Sequence, residues 1–153
     1  MAETGGRKII CVNKRARFNY AIDDVYEAGL VLQGTEVKSL REGRVNIQEA
    51  YADVRDGEVY LLNAHIDQYE QGNRFNHDPD RPRKLLLHKR EIRRLIGKTQ
   101  ERGLSLIPTR MYFTQGKAKI EIGVGRGKKN YDKRQDLKRR SAQRDIERAL
   151  RGE

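Results

Sequence analysis

The sequence predicts a mainly β chain with short α-helices, folded as a small antiparallel barrel. Three observations lead there. Runs of β-prone residues are joined by tight turn signals, and the cleanest of them alternates apolar and polar residues at a period of two. The chain also lacks the repeated strand–helix–strand order that builds a parallel sheet. With 153 residues, 36% of them hydrophobic, it has material for one core and hence one domain.

Taken in order, residues 1–8 read as a flexible N-terminus, residues 9–125 as the barrel and residues 126–153 as a basic tail. Ile9-Ile10-Cys11-Val12 is a short strand-prone run, and Phe18-Asn19-Tyr20-Ala21-Ile22 is a second. After Gly34, Thr35 can cap a short helix that turns Val37 and Leu40 inward and stops at Gly43. Lys38 and Arg41 lie three residues apart on that helix and give it a basic edge. Tyr51 to Ile66 reads as a hairpin turning at Asp56-Gly57, a pair suited to the two positive φ angles of a type I′ turn. Its inward residues are Ala52, Val54, Val59 and Leu61.

Gln68 to Pro82 is polar and aperiodic, which marks an exposed loop. A helix follows over His88 to Arg102, with Ile92, Leu95, Ile96 and Thr99 on one face and Gly103 as its stop. A second hairpin, Leu104 to Val124, turns near Gln115-Gly116. On its return strand Ala118, Ile120, Ile122 and Val124 face inward, against Lys117, Lys119 and Glu121 outward. The glycines of Gly123-Val124-Gly125-Arg126-Gly127 miss the spacing of a phosphate-binding loop and read as a flexible exit from the barrel.

Charge narrows the function. The formal net charge is +11, and residues 126–153 hold 11 Lys/Arg against 5 Asp/Glu. A body with a basic arm points to a polyanionic partner, nucleic acid before an anionic membrane surface. In the arm, Lys133, Arg140, Arg144, Arg148 and Arg151 form one ridge on a helix, whereas Leu137 and Ile146 fall on opposite sides. Without a firm apolar face the arm is expected to be disordered alone and to fold against phosphates. Asn13-Lys14-Arg15-Ala16-Arg17 is a second basic cluster. Of the seven tyrosines, Tyr131 in the polar hinge is best placed to stack on a base.

Other classes find no support. No apolar run reaches the length of about 18 residues that spans a bilayer, and the N-terminus lacks a signal-type apolar stretch. Cys11 is the only cysteine, so no internal disulfide forms; these features read as cytoplasmic. His65, His77 and His88 show none of the usual metal-ligand spacings, so neither a metal, a cofactor nor a catalytic residue is assigned.

The segments Asn13-Lys14-Arg15-Ala16-Arg17, Glu27-Ala28-Gly29-Leu30 and Gly34-Thr35-Glu36-Val37-Lys38-Ser39-Leu40-Arg41 resemble successive signatures of the SsrA-binding protein family (small protein B). So do Asn76-His77-Asp78-Pro79, Arg83-Lys84-Leu85-Leu86-Leu87-His88 and Gly127-Lys128-Lys129-Asn130-Tyr131-Asp132-Lys133-Arg134, in family order. The resemblance implies an OB-like barrel flanked by helices, and a non-enzymatic, monomeric protein that binds the tRNA-like domain of transfer-messenger RNA. It implies entry into the vacant A site of a stalled ribosome for trans-translation, the protein completing a tRNA mimic and meeting elongation factor Tu through the RNA. Carried over by motif, Asn13, Lys14, Arg15, Arg17, Glu27, Lys38, Arg41, Lys84, Lys128 and Lys129 form or support the RNA surface. Glu27 would accept from a base or orient a nearby cation, because a carboxylate repels phosphate. Tyr131, Asp132, Lys133, Arg134, Lys138, Arg139, Arg140, Arg144 and Arg148 would engage the decoding centre and, as a helix, the empty mRNA channel.

Overall fold

The structure is a computed structural model that describes residues 3–4, 6–101, 103–128 and 130–150; within these the side chains at 3, 4, 73–75, 130–133 and 136 fall outside the description. In chain order the elements are β1 (Glu3–Thr4), β2 (Arg7–Val12), α1 (Lys14–Asn19), β3 (Tyr20–Leu30), α2 (Gly34–Arg41), β4 (Val45–Asn46), β5 (Tyr51–Arg55) and β6 (Glu58–Leu62). There follow β7 (His65–Ile66), a 3₁₀ turn (Glu70–Phe75), β8 (Arg83–Leu86), α3 (Lys89–Gln100), β9 (Leu104–Thr114), β10 (Lys117–Gly127) and α4 (Asn130–Leu150).

All strand pairs are antiparallel, in the order β2-β9-β10-β3-β8-β6-β5. The sheet closes on itself because Ala52 of β5 pairs with Leu106 of β9. β9 can serve both β2 and β5 because it bends at a bulge: Glu121 faces Arg110 but Ile122 faces Pro108, leaving Thr109 as the extra residue. Pro108, which has no N–H to give, sits at that break in the ladder. Both hairpins turn where expected, with positive φ at Asp56 and Gly57 and at Gln115 and Gly116. The inward alternation also holds, since Ile120, Ile122 and Val124 are buried together with Val59, Leu61, Leu85 and Met111.

The two short helices plug opposite ends of the barrel. Leu40 of α2 sits with Ile9, Ile10 and Phe113, near the end of β9. Leu95 of α3 is fully buried, and Thr99 lies beside Leu104, Ser105 and Leu106 at the start of β9. At the rise of a strand this separates them by roughly 20 Å along β9.

Several expectations change. The N-terminus, read as flexible to residue 8, carries a short hairpin in which Thr4 pairs with Arg7. The last strand runs to Gly127 rather than to residue 125. Gly123 and Gly125 are therefore buried strand residues rather than a flexible exit; a Cβ on Gly125 would stand 2.6 Å from the carbonyl oxygen of Ala21. The first helix cap is Gln33, paired with Glu36 in a capping box, not Thr35. α3 is capped in the same way by His88 and Glu91. Most notably, the arm expected to be disordered is a helix of 21 residues. Leu137, Ile146 and Leu150 are all exposed, so no apolar face secures it. Its support is local: good helix formers without Gly or Pro, and an Asp145–Arg148 pair at 3.3 Å.

Candidate nucleic-acid interface

Alternation along the sheet sends one set of residues inward and the next outward, and the register collects the outward ones into one face. Tyr112 of β9 pairs with Lys119 of β10, which pairs with Gly29 of β3, which pairs with Leu86 of β8. Glu27 lies two residues from Gly29 and Lys84 two residues from Leu86, so both share this outer face with Lys119. Arg7 joins it from β2, its guanidinium 4.6 Å from the centroid of the Tyr112 ring. The Tyr112 ring is buried and its hydroxyl donates to Glu27. Burial, and then the Glu27 carboxylate, push that hydroxyl well above its ordinary range, so it remains a donor. Arg7 also pairs with Glu27 at 3.2 Å. The charge of Glu27 is thus engaged in holding Arg7 outward, the orienting alternative of the two weighed for it. Lys84 pairs with Glu58 at 3.7 Å.

The cluster after β2 divides into one structural and three surface residues. Asn13 is 3% exposed. Its side-chain amide donates to the carbonyls of Pro108 (2.9 Å) and Ile47 (3.2 Å), while its backbone N–H donates to Thr109 (2.7 Å). It latches the start of α1 to the bulge of β9, which makes it a support for the surface and not a contact. Lys14, Arg15 and Arg17 project outward from the turn so fixed, Arg15 pairing with Glu49 at 3.1 Å.

Lys38 and Arg41 are exposed on α2, Lys38 5.3 Å from the Tyr69 ring centroid and Arg41 beside Lys8. Beneath them lies a polar network that the sequence reading missed. Glu36 and Arg83 are both fully buried, and the Arg83 Nε donates to Glu36 at 2.6 Å. Arg81 also donates to Glu36, as does the Gln33 amide at 2.8 Å. Burial by itself raises the Glu36 carboxyl, but these hydrogen bonds and the Arg83 charge outweigh it and hold it below its ordinary range. His77 is buried too: Nε2 donates to the Ile66 carbonyl at 2.8 Å, so Nδ1 accepts from the Thr35 hydroxyl, also at 2.8 Å. One signal was present in the sequence. In the alternation of β8, Arg83 falls in the inward register of Leu85, and an inward arginine requires a buried carboxylate.

The arm meets the body at α1, where Arg140 lies 5.5 Å from the Phe18 ring centroid. Lys14, Arg17, Arg110 and Arg140 line one cleft between α1, the bulge and α4. Lys128 is half-buried, and its backbone N–H donates to Asn19 at 2.7 Å. Arg134, Lys138, Arg139, Arg144 and Arg148 are exposed along α4. Lys129 and the side chains of Tyr131, Asp132 and Lys133 lie outside the described residues. Among the described residues no group of three or more His, Cys, Asp or Glu could hold a metal, and no helix is long and apolar enough to cross a membrane.

Comparison with known proteins agrees with this geometry. The family model described as SmpB protein matches residues 10–152. An SsrA-binding protein of Geobacillus thermodenitrificans is 60% identical over 147 residues, covering 96% of this chain and 95% of that protein. One from Listeria monocytogenes is 60% identical over 146 residues, covering 95% of each. A solved chain from "tmRNA-SmpB: a journey to the center of the bacterial ribosome" is 52% identical, with a TM-score of 0.67, over 78% of this chain and 85% of its own length. A match that spans the barrel, both capping helices and the arm leaves one conclusion: the chain belongs to the SsrA-binding protein (SmpB) family.

Proposed function

We propose that the protein binds the tRNA-like domain of transfer-messenger RNA through its barrel and carries it to stalled ribosomes, where the basic arm occupies the decoding site and the empty mRNA channel. The observation that carries this reading is full-length similarity to SsrA-binding proteins together with a preorganised cationic face. On that face Arg7, Lys119 and Lys84 stand on rigid strands, so little side-chain freedom is lost on contact with phosphates. Lys14, Arg15, Arg17, Lys38 and Arg41 extend it to the helix surfaces, and Asn13 and Glu27 hold its parts in place. The arm supplies a separate ridge of Arg140, Arg144 and Arg148, suited to a phosphate-lined channel that mRNA and the arm cannot fill together. No step of this reading requires bond chemistry by the protein.

The test is a gel shift at fixed salt, comparing the tRNA-like domain with an ordinary tRNA of equal length, using the full chain and Glu27→Ala. Preference for the tRNA-like domain, weakened roughly tenfold by Glu27→Ala through loss of one charge-assisted contact network, is the expected result. Equal binding of both RNAs would reduce the reading to a generic basic RNA-binding barrel. Lys133→Ala combined with Arg134→Ala should keep RNA affinity and abolish peptide tagging.

A further inference from the structure

α3 carries a feature that the proposed function leaves unused. Lys89, Arg90, Arg93, Arg94 and Lys98 are five cations on a helix of 12 residues whose one acid, Glu91, is spent on the cap, accepting from the His88 amide at 3.1 Å. At 100° per residue these cations centre about 180° from the buried face of Ile92, Leu95, Ile96 and Thr99. Lys89, Arg90, Arg93 and Arg94 are exposed and Lys98 is half-buried. Elsewhere on the body the surface cations are partly neutralised: Arg7, Arg15, Arg44, Lys84 and Arg110 each have a carboxylate within 4.0 Å. The five on α3 have none. Asp24 and Glu101 border the groove beside Arg94 and Lys98 without pairing with them, and Glu101 reaches instead toward Arg126.

An uncompensated stripe repels itself and is retained at a cost to the isolated fold. We infer that this stripe is a second RNA-backbone contact, made to ribosomal RNA and not to the tRNA-like domain; the inference rests on the ribosomal role proposed above. Position decides between the two RNAs. α2, with Lys38 and Arg41, closes the Phe113 end of β9, whereas α3 closes the Leu104 end. One RNA lying across α2 and the outer sheet face therefore leaves the solvent side of α3 open to another. Chemistry decides the class of partner. Arg90, Arg94 and Lys98 recur every four residues, in steps of about 6 Å, a ladder for successive phosphates. The stripe holds no apolar side chain to anchor a protein or a bilayer, and three of its five members are arginines, which grip phosphate bidentately.

The experiment uses the full chain with Arg90→Gln, Arg94→Gln and Lys98→Gln combined, all outside the packed face, with a thermal melt to verify folding. Binding to three probes is measured across a salt series: the tRNA-like domain, intact ribosomes and deproteinised ribosomal RNA. The expected result is unchanged affinity for the tRNA-like domain, with weaker binding to ribosomes and to ribosomal RNA. The log–log salt slope for those two should fall by about 2 for three lost phosphate contacts. An unaltered ribosome affinity overturns the inference. So does a loss confined to intact ribosomes, which would mark an acidic protein surface as the partner, or a loss on the tRNA-like domain, which would place the stripe on the first RNA. Failure of the wild-type chain to prefer the tRNA-like domain sinks the underlying function instead.

Discussion

Replacing Glu36 by Gln isolates the buried network beneath α2. In the native chain one carboxylate oxygen receives Arg81 and the Gln33 amide, and the other receives the fully buried Arg83. Glutamine keeps the shape but removes the charge, and its NH₂ must then face a guanidinium or an amide, donor against donor. Arg83 retains the carbonyls of Ala64 (2.6 Å) and Pro79 (2.9 Å), so its hydrogen bonds survive in part, but its charge is left buried and unpaired. Breaking one side of such a pair costs about 3–5 kcal/mol, a large share of the roughly 5–15 kcal/mol that holds a domain together. For a chain of this size that corresponds to a fall in Tm of roughly 6–20 °C. Thermal and urea denaturation of both proteins at neutral pH measure it, and a difference below about 1 kcal/mol would refute the network as a major contributor. Acid titration adds a second check on the same residue. Because the native Glu36 carboxyl is held below its ordinary range, its contribution is complete above the ordinary value of 4.5 and is lost as pH falls through the depressed native value. The gap between wild type and variant must therefore narrow on acidification, and a constant gap would mean that charge is not the cause.

Two further outcomes follow from packing. Gly125→Ala forces a Cβ to within 2.6 Å of the Ala21 carbonyl, which is backbone and cannot swing aside; the strand pair must open, at about 1–3 kcal/mol, and a melt indistinguishable from wild type would contradict the close approach. Cys11 is half-buried; burial, only partly offset by the Met111 backbone hydrogen bond, pushes its thiol up to about 11. A thiol reagent at pH 8 should therefore label the native protein far more slowly than the protein in denaturant, and equal rates would show that the thiol is open to solvent.

What the sequence by itself determined rests on short-range physics. Period-two alternation fixed the inward set Ala118, Ile120, Ile122 and Val124, and the turn pairs Asp56-Gly57 and Gln115-Gly116 fixed both hairpins, because positive φ is a local demand. Charge count and residue order fixed the basic body with its arm, and the motif series pointed to the family. The tertiary structure decided everything that depends on which distant residues meet. Asn13 looks like a surface donor within its basic cluster, and only the approach of Pro108 and Ile47 makes it a buried latch. Glu27 acquires its partners Arg7 and Tyr112 from strands far away in sequence. The helical state of the arm was misread because a weak apolar face was taken to forbid order, whereas its own residue types and side-chain pairs support the helix. Burial, more than residue type, separated the surface that meets a partner from the polar groups that hold that surface in place, and burial is a property of closure: it exists only once β5 has met β9.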